Sequence, residues 1–338
     1  MKVSVNRCLV LVAFVVLLPS ALAAQSAHIV QTNSRDGSVH IINPENGQVV
    51  DRIDGVPINH GVAVAPDQSR IYLSSEGEEA LYVVDAHSME ILRTVPLSAR
   101  PHNISITPDG RKVYAGIIAQ PGAVNVVDTE TFEVKVIDHP GGIHNIYVTP
   151  DGRNVIAGSI AGRRMTVYDT ATDEEVWAWE GEPIRPMAIG TNPDGSTDKV
   201  YVQVSLHHGF VVVDWDTREE VARITQPDVP EDEREPGLYN SAPVYGLGVS
   251  PHGRTLWSTS RMNSHVYVNS IPELELIASV RTGRDPDWVT FTPDSKWAAV
   301  SNAIDNNVSI INMETFVEHA RVPVGESPKR NTILLMEE

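Results

Sequence analysis

The chain repeats itself about every forty-two residues. The turn prolines Pro66, Pro108, Pro150, Pro193, Pro251 and Pro293 are separated by 42, 42, 43, 58 and 42 residues. One unit, Pro101 to Ile137, carries alternating apolar runs at Ile104/Ile106, Val113/Ala115/Ile117, Val124/Val126 and Val134/Val136. Pro-Asp-Gly and Asp-Thr-Glu-Thr turn chemistry separates them. Four short antiparallel strands in about forty residues make one propeller blade. A lone blade leaves a sheet face uncovered, and stacked neighbours cover each other.

The repeats predict an all-β, seven-bladed β-propeller of four-stranded antiparallel blades. Three strands near residues 28–32, 38–42 and 49–53 lack a preceding inner strand, and Ser327–Leu335 resembles the start of a repeat. The two ends are therefore expected to share one blade, which closes the ring without an open sheet edge. Residues 24–338 read as a single domain. The long 58-residue spacing comes from a polar, proline-rich insertion at 226–240, expected to be a loop.

Residues 1–23 read as a signal peptide. Lys2 and Arg7 precede an apolar run from Leu9 to Leu18, a break at Pro19 and the small-residue pattern Ala21-Leu22-Ala23. The run is too short for a membrane anchor, so a periplasmic or secreted protein is expected. The only cysteine, Cys8, lies within that segment. Its loss would exclude disulfides, thiolate ligands, a cysteine nucleophile and haem attachment through C-x-x-C-H. The formal charge of −18, or −20 once Lys2 and Arg7 are removed, argues against nucleic acid or anionic lipid as partners.

The phrases Ile-Thr-Pro-Asp-Gly-Arg-Lys-Val-Tyr (106–114) and Val-Asn-Val-Val-Asp-Thr-Glu-Thr (124–131) resemble the YVTN family of bacterial seven-bladed propellers. They are also similar to the propeller domains of cytochrome cd1 nitrite reductase and nitrous oxide reductase. The resemblance covers nearly all of the expected mature chain. It implies the architecture; the group includes redox enzymes, lactonases, lyases and binding proteins. The second strand departs from the Tyr-Val-Thr-Asn phrase, with Tyr114-Ala-Gly-Ile, Ile156-Ala-Gly-Ser and Tyr201-Val-Gln-Val standing there.

Aligned on the repeat, His60, His102 and His144 occupy one position, six residues before the turn proline of blades two, three and four. Met187, Tyr245, Asp287 and Lys329 stand there in the other blades. Three imidazoles at the mouth of one channel suit copper, zinc or iron. Nitrous oxide reductase holds copper with propeller histidines, but its cluster needs more than three, so that activity is not carried over. The alternative is a duplicated structural histidine that hydrogen-bonds a neighbouring blade. His207 and His208, in the turn between the second and third strands of blade five, belong to the same face. They are further candidate ligands or simply an exposed turn pair. Asp287, Tyr245 and Arg185 are candidate catalytic or substrate-orienting groups. Asp285, Trp288, Arg100, Lys329 and Arg330 approach the same face, and the insertion is a candidate lid.

Repeated Asp67, Asp109, Asp151, Asp194 and Asp294 read as turn chemistry, and His252 as a substitute for that aspartate. His28, His40, His87, His139, His265 and His319 share no repeat position. No G-x-S-x-G elbow, P-loop, dinucleotide fingerprint or H-E-x-x-H motif occurs. Three readings stand: a metal-dependent redox or Lewis-acid enzyme acting on a small molecule, a metal-assisted lyase or lactonase, and a monomeric binding scaffold for another exported protein. Aromatic residues at 6% leave little material for a large protein interface.

Overall fold

A computed structural model describes residues 25–235 and 241–337. The expected signal peptide at 1–23 and the insertion's residues 236–240 lie outside the described residues. Seven four-stranded antiparallel sheets stand in a ring. The inner strands of blades one to seven are Pro328–Glu337, Asn59–Val64, Pro101–Ile106, Ile143–Val148, Ile184–Thr191, Val244–Val249 and Pro286–Phe291. Each contacts the inner strand of the next blade. Blade one is shared as expected: Gln25–Asn33 pairs with Pro328–Glu337 over the register Gln25↔Glu337 to Asn33↔Pro328.

Alternation along each strand explains why the units must stack. In the blade-three strand Lys112–Ile117, Val113 and Ala115 enter the core shared with blade two, and Tyr114 between them enters the core shared with blade four. Every junction between neighbouring blades has its own apolar cluster. Leu73, fully buried at the junction of blades one and two, illustrates the energetics: truncation to alanine at such a site costs about 2–5 kcal/mol. The fourth strands, such as Gln48–Ile53, are largely exposed and form the rim.

The repeated aspartates serve the turns. Asp109 Oδ1 accepts from Thr107 Oγ1 at 2.6 Å and from the Arg111 N–H at 3.1 Å. In blade six the imidazole of His252 takes over, with Nδ1 accepting the Arg254 N–H at 3.1 Å and lying 3.0 Å from Ser250 Oγ. The only helical turn among the described residues is Glu231–Glu233, in the insertion. No described helix is long and apolar enough to cross a membrane.

The described part of the insertion seats on blade six. Gln226 Nε2 donates to Ser258 Oγ and Asn269 Oδ1 at 3.0 and 2.7 Å. The Pro227 carbonyl accepts from Asn263 Nδ2, and the Glu235 N–H donates to the Met262 carbonyl at 2.9 Å. The first two bonds hold it to the second and third strands of that blade and the last two to the turn between them.

Candidate metal centre

Every inner strand breaks its pairing register at the same place. The shifts fall between Asn59 and Val62, Pro101 and Ile104, Ile143 and Asn145, Ile184 and Met187, Val244 and Leu247, and Pro286 and Trp288, and opposite Gln31–Asn33 in blade one. A bulge re-aims the side chain it carries. The bulges include or border the positions of His60, His102, His144, Tyr245, Asp287 and Lys329. Gly61 allows the inner strands of blades two and three to close up, because a Cβ there would meet Ile104 N at 2.8 Å and His102 O at 2.9 Å. Ser74 then ties the two strands, accepting the Gly61 N–H and donating to the His102 carbonyl, each at 2.7 Å.

The three histidines come together as an arc of buried rings. His60 and His102 have centroids 3.8 Å apart, His102 and His144 4.5 Å, and Tyr245 meets His144 edge-on at 5.7 Å. Met187, the blade-five member of the series, instead packs into the apolar core between blades four and five. Tyr245 thus reaches His144 across the gap.

One carboxylate orders the first two rings. Glu76 Oε1 lies 3.2 Å from His60 Nδ1 and 2.8 Å from His102 Nδ1. An ionised carboxylate only accepts, so both Nδ1 atoms donate and both Nε2 atoms present lone pairs. Those two Nε2 atoms are buried and have no hydrogen-bond partner. His144 has the same tautomer: its Nδ1 donates to Asn145 Oδ1, whose amide group is turned by donation to Tyr147 OH. Its Nε2 accepts from Tyr245 OH at 3.0 Å.

Burial keeps these imidazoles neutral. It lowers the His60 pKa to about 3, with His102 and Arg330 adding repulsion against the opposing pull of Glu76. Burial likewise lowers His102 against the pull of Glu76, and holds His144 well below its ordinary value with help from His102 and Arg330. For Glu76, burial pushes the carboxyl up, but the bonds from His102 and His60 outweigh it and hold the group below the usual carboxylate range. At neutral pH the site offers lone pairs and one negative charge. His60, His102 and Glu76 have ligand atoms within 4.8 Å of one another.

The opposite half of the channel is ionic. Asp287 lies 3.3 Å from Arg330 Nη1, 3.7 Å from Arg261 Nη2 and 3.8 Å from Lys329 Nζ. Burial raises its pKa, but Lys329, Arg261 and Arg330 prevail and keep it ionised. Arg261 also grips Asp285, at 2.5 Å from Nε and 3.3 Å from Nη2. The Arg330 guanidinium lies over Trp288 at 4.0 Å and over Tyr245 at 5.3 Å. Arg185 donates through Nε to Ser205 Oγ at 2.8 Å.

The other two candidate ligands are engaged away from the arc. His207 Nε2 is 2.9 Å from the Ile224 carbonyl, and His208 Nε2 is 2.9 Å from Ser260 Oγ in blade six. Repeat alignment missed Glu76 and Arg261. Both stand in turns between second and third strands, where a residue unique to one blade leaves no periodic trace. The proximity of those turns to the inner-strand starts was the available clue, and Glu76 confirms it by donating its N–H to the Ile58 carbonyl.

The chain is similar to Kuenenia stuttgartiensis hydrazine synthase, with a TM-score of 0.71, 19% identity, and coverage of 89% of this chain and 99% of that one. It is similar to a candidate 6-phosphogluconolactonase from Bacteroides fragilis, with a TM-score of 0.72, 15% identity, and coverage of 93% and 99%. A third likeness is to the dihydro-heme d1 dehydrogenase NirN, with a TM-score of 0.64, 15% identity, and coverage of 88% of this chain and 63% of NirN. These likenesses show a shared seven-bladed propeller fold. No protein-family model matches the sequence, and no curated protein does.

Proposed function

We propose that this is an exported propeller, periplasmic or secreted, that binds one copper, zinc or iron ion at the channel mouth and uses it for redox or Lewis-acid chemistry on a small molecule. The observation that carries the reading is the pair of buried, unpartnered Nε2 atoms of His60 and His102, whose opposite nitrogens share Glu76. A buried acceptor without a partner is costly, and an imidazole whose other N–H is held by a carboxylate is a common metal-ligand arrangement. Imidazole suits all three metals.

His60 and His102 would hold the ion, and Glu76 would fix their tautomers and offset its charge. The bound ion would supply a Lewis acid or a redox couple. Tyr245 and His144 form a hydrogen-bonded pair beside it, so a proton at the Tyr245 oxygen has an acceptor in His144 Nε2. A metal-assisted lyase or lactonase would use the same groups. The test is elemental analysis of exported protein purified without chelator, beside a His60→Ala/His102→Ala/His144→Ala variant. Stoichiometric metal in the native chain that is lost from the folded variant supports the reading. No metal in either protein after reconstitution overturns it in favour of a binding scaffold.

A further inference from the structure

The ionic half of the channel says what kind of small molecule belongs there. Three cations, Arg261, Lys329 and Arg330, stand around two carboxylates, Asp285 and Asp287. The carboxylates lie deep, with side chains 7% and 3% exposed, whereas Arg261 and Lys329 are 16% and 22% exposed. The solvent-facing side of this half is therefore cationic, in a chain whose formal charge is −18. Such local inversion of sign draws anions to a cleft.

Beneath this rim lies an under-used guanidinium. The Arg330 side chain is 2% exposed, yet its Nε has no hydrogen-bond partner. Its two recorded side-chain hydrogen bonds are long, 3.3 Å from Nη1 to Asp287 and 3.5 Å from Nη2 to Tyr245 OH. Its backbone N–H is fixed on Thr32 Oγ1 at 3.0 Å, and Trp288 lies against its plane. A guanidinium presents its N–H groups as a planar fork that matches a carboxylate.

We infer that the small molecule bound in this channel carries a carboxylate, which the Arg261 and Lys329 rim draws in and Arg330 anchors opposite the histidine arc. This deepens the proposed function, because it places the substrate's charged end across from the metal. The anion-binding part depends only on the cationic residues and is measurable without metal.

The experiment is isothermal titration of chelator-treated native protein with malonate, with its neutral analogue malonamide and with inorganic phosphate, at two salt concentrations. Malonate is expected to bind, more weakly at high salt, with malonamide at least tenfold weaker and phosphate weaker than malonate. Lys329→Met, on the partly exposed rim, should weaken malonate several-fold. Arg330→Lys, which keeps the charge and loses the fork, should weaken it about tenfold while metal content stays native. Equal binding of malonate and malonamide, no malonate binding, tighter binding of phosphate, or indifference to both substitutions would overturn the inference. Metal content, measured separately on the same preparations, tells that failure apart from a failure of the metal reading.

Discussion

The two halves of the channel bury polar side chains in opposite ways. Blades two to four bury imidazoles as neutral bases, with neighbouring ring centroids 3.8 and 4.5 Å apart and the first two rings oriented by Glu76. Blades six, seven and one bury full charges and compensate them with each other, as Asp287 does among Arg261, Lys329 and Arg330. Desolvation penalises a charge far more than a neutral ring, so the ionic half depends on pairing and the imidazole half does not. The first leaves lone pairs for a cation, and the second leaves N–H donors for an anion. Two contrasting polar environments thus face each other across one channel.

The largest expected effect comes from breaking the ionic half. Asp287→Asn leaves three cations without their shared carboxylate and should cost about 3–5 kcal/mol in urea unfolding. His144→Ala, which removes a neutral ring, should cost clearly less. Equal losses would erase the distinction between the halves.

Acid sharpens the contrast. The folded-state pKa values of His60, His102 and His144 lie below the unfolded value, so as pH falls below about 6.5 the unfolded chain binds protons that the native chain refuses. His60 should therefore remove up to about 1.4 kcal/mol per pH unit as pH falls from about 6.5 toward its folded value of about 3, and His102 and His144 act in the same direction. The triple alanine variant should show a correspondingly flatter profile. The lowered pKa of Asp287 acts in the same direction at lower pH: its contribution is present above the ordinary carboxylate range and is lost as pH falls through its folded value. An unchanged slope between pH 6.5 and 4 in the triple variant would show that the histidines are not held neutral.

Gly61→Ala probes the strand approach that sets the His60–His102 spacing. Its Cβ would press on the backbone of His102 and Ile104, at a cost of about 1–3 kcal/mol. Metal affinity should fall although no ligand has changed, and native affinity would place the spacing outside the site's requirements. The smallest effect belongs to the opposite face. His252→Asp restores the usual turn acceptor and should change stability by less than about 0.5 kcal/mol; a larger change would give His252 a role beyond its turn.

The repeat revealed whatever the molecule copied. The 42-residue spacing gave the blade count, the shared blade and the turn role of Asp109 because each recurs or completes a recurrence. It also brought His60, His102 and His144 to one address. Their tautomers were not legible, since these depend on Glu76, which meets both His60 and His102 only once blades two and three are stacked, and on how Tyr147 turns the amide of Asn145 beside His144. Met187 sits in the same series yet turns into the core, because a bulge admits either direction and an apolar side chain is better buried. Arg261, at a turn position held by Ser34, Glu76, Ile118, Ile160, Ser205 and Ala303 in the other blades, became recognisable only through its contact with Asp285.

The central claim is that His60 and His102 present their Nε2 atoms to a metal. The electron paramagnetic resonance spectrum of protein loaded with one equivalent of Cu(II) tests it most directly. Nitrogen superhyperfine coupling from at least two imidazoles, absent from a folded His60→Ala/His102→Ala variant, is the predicted result. A native spectrum without nitrogen coupling, or one that survives unchanged in the variant, would contradict it.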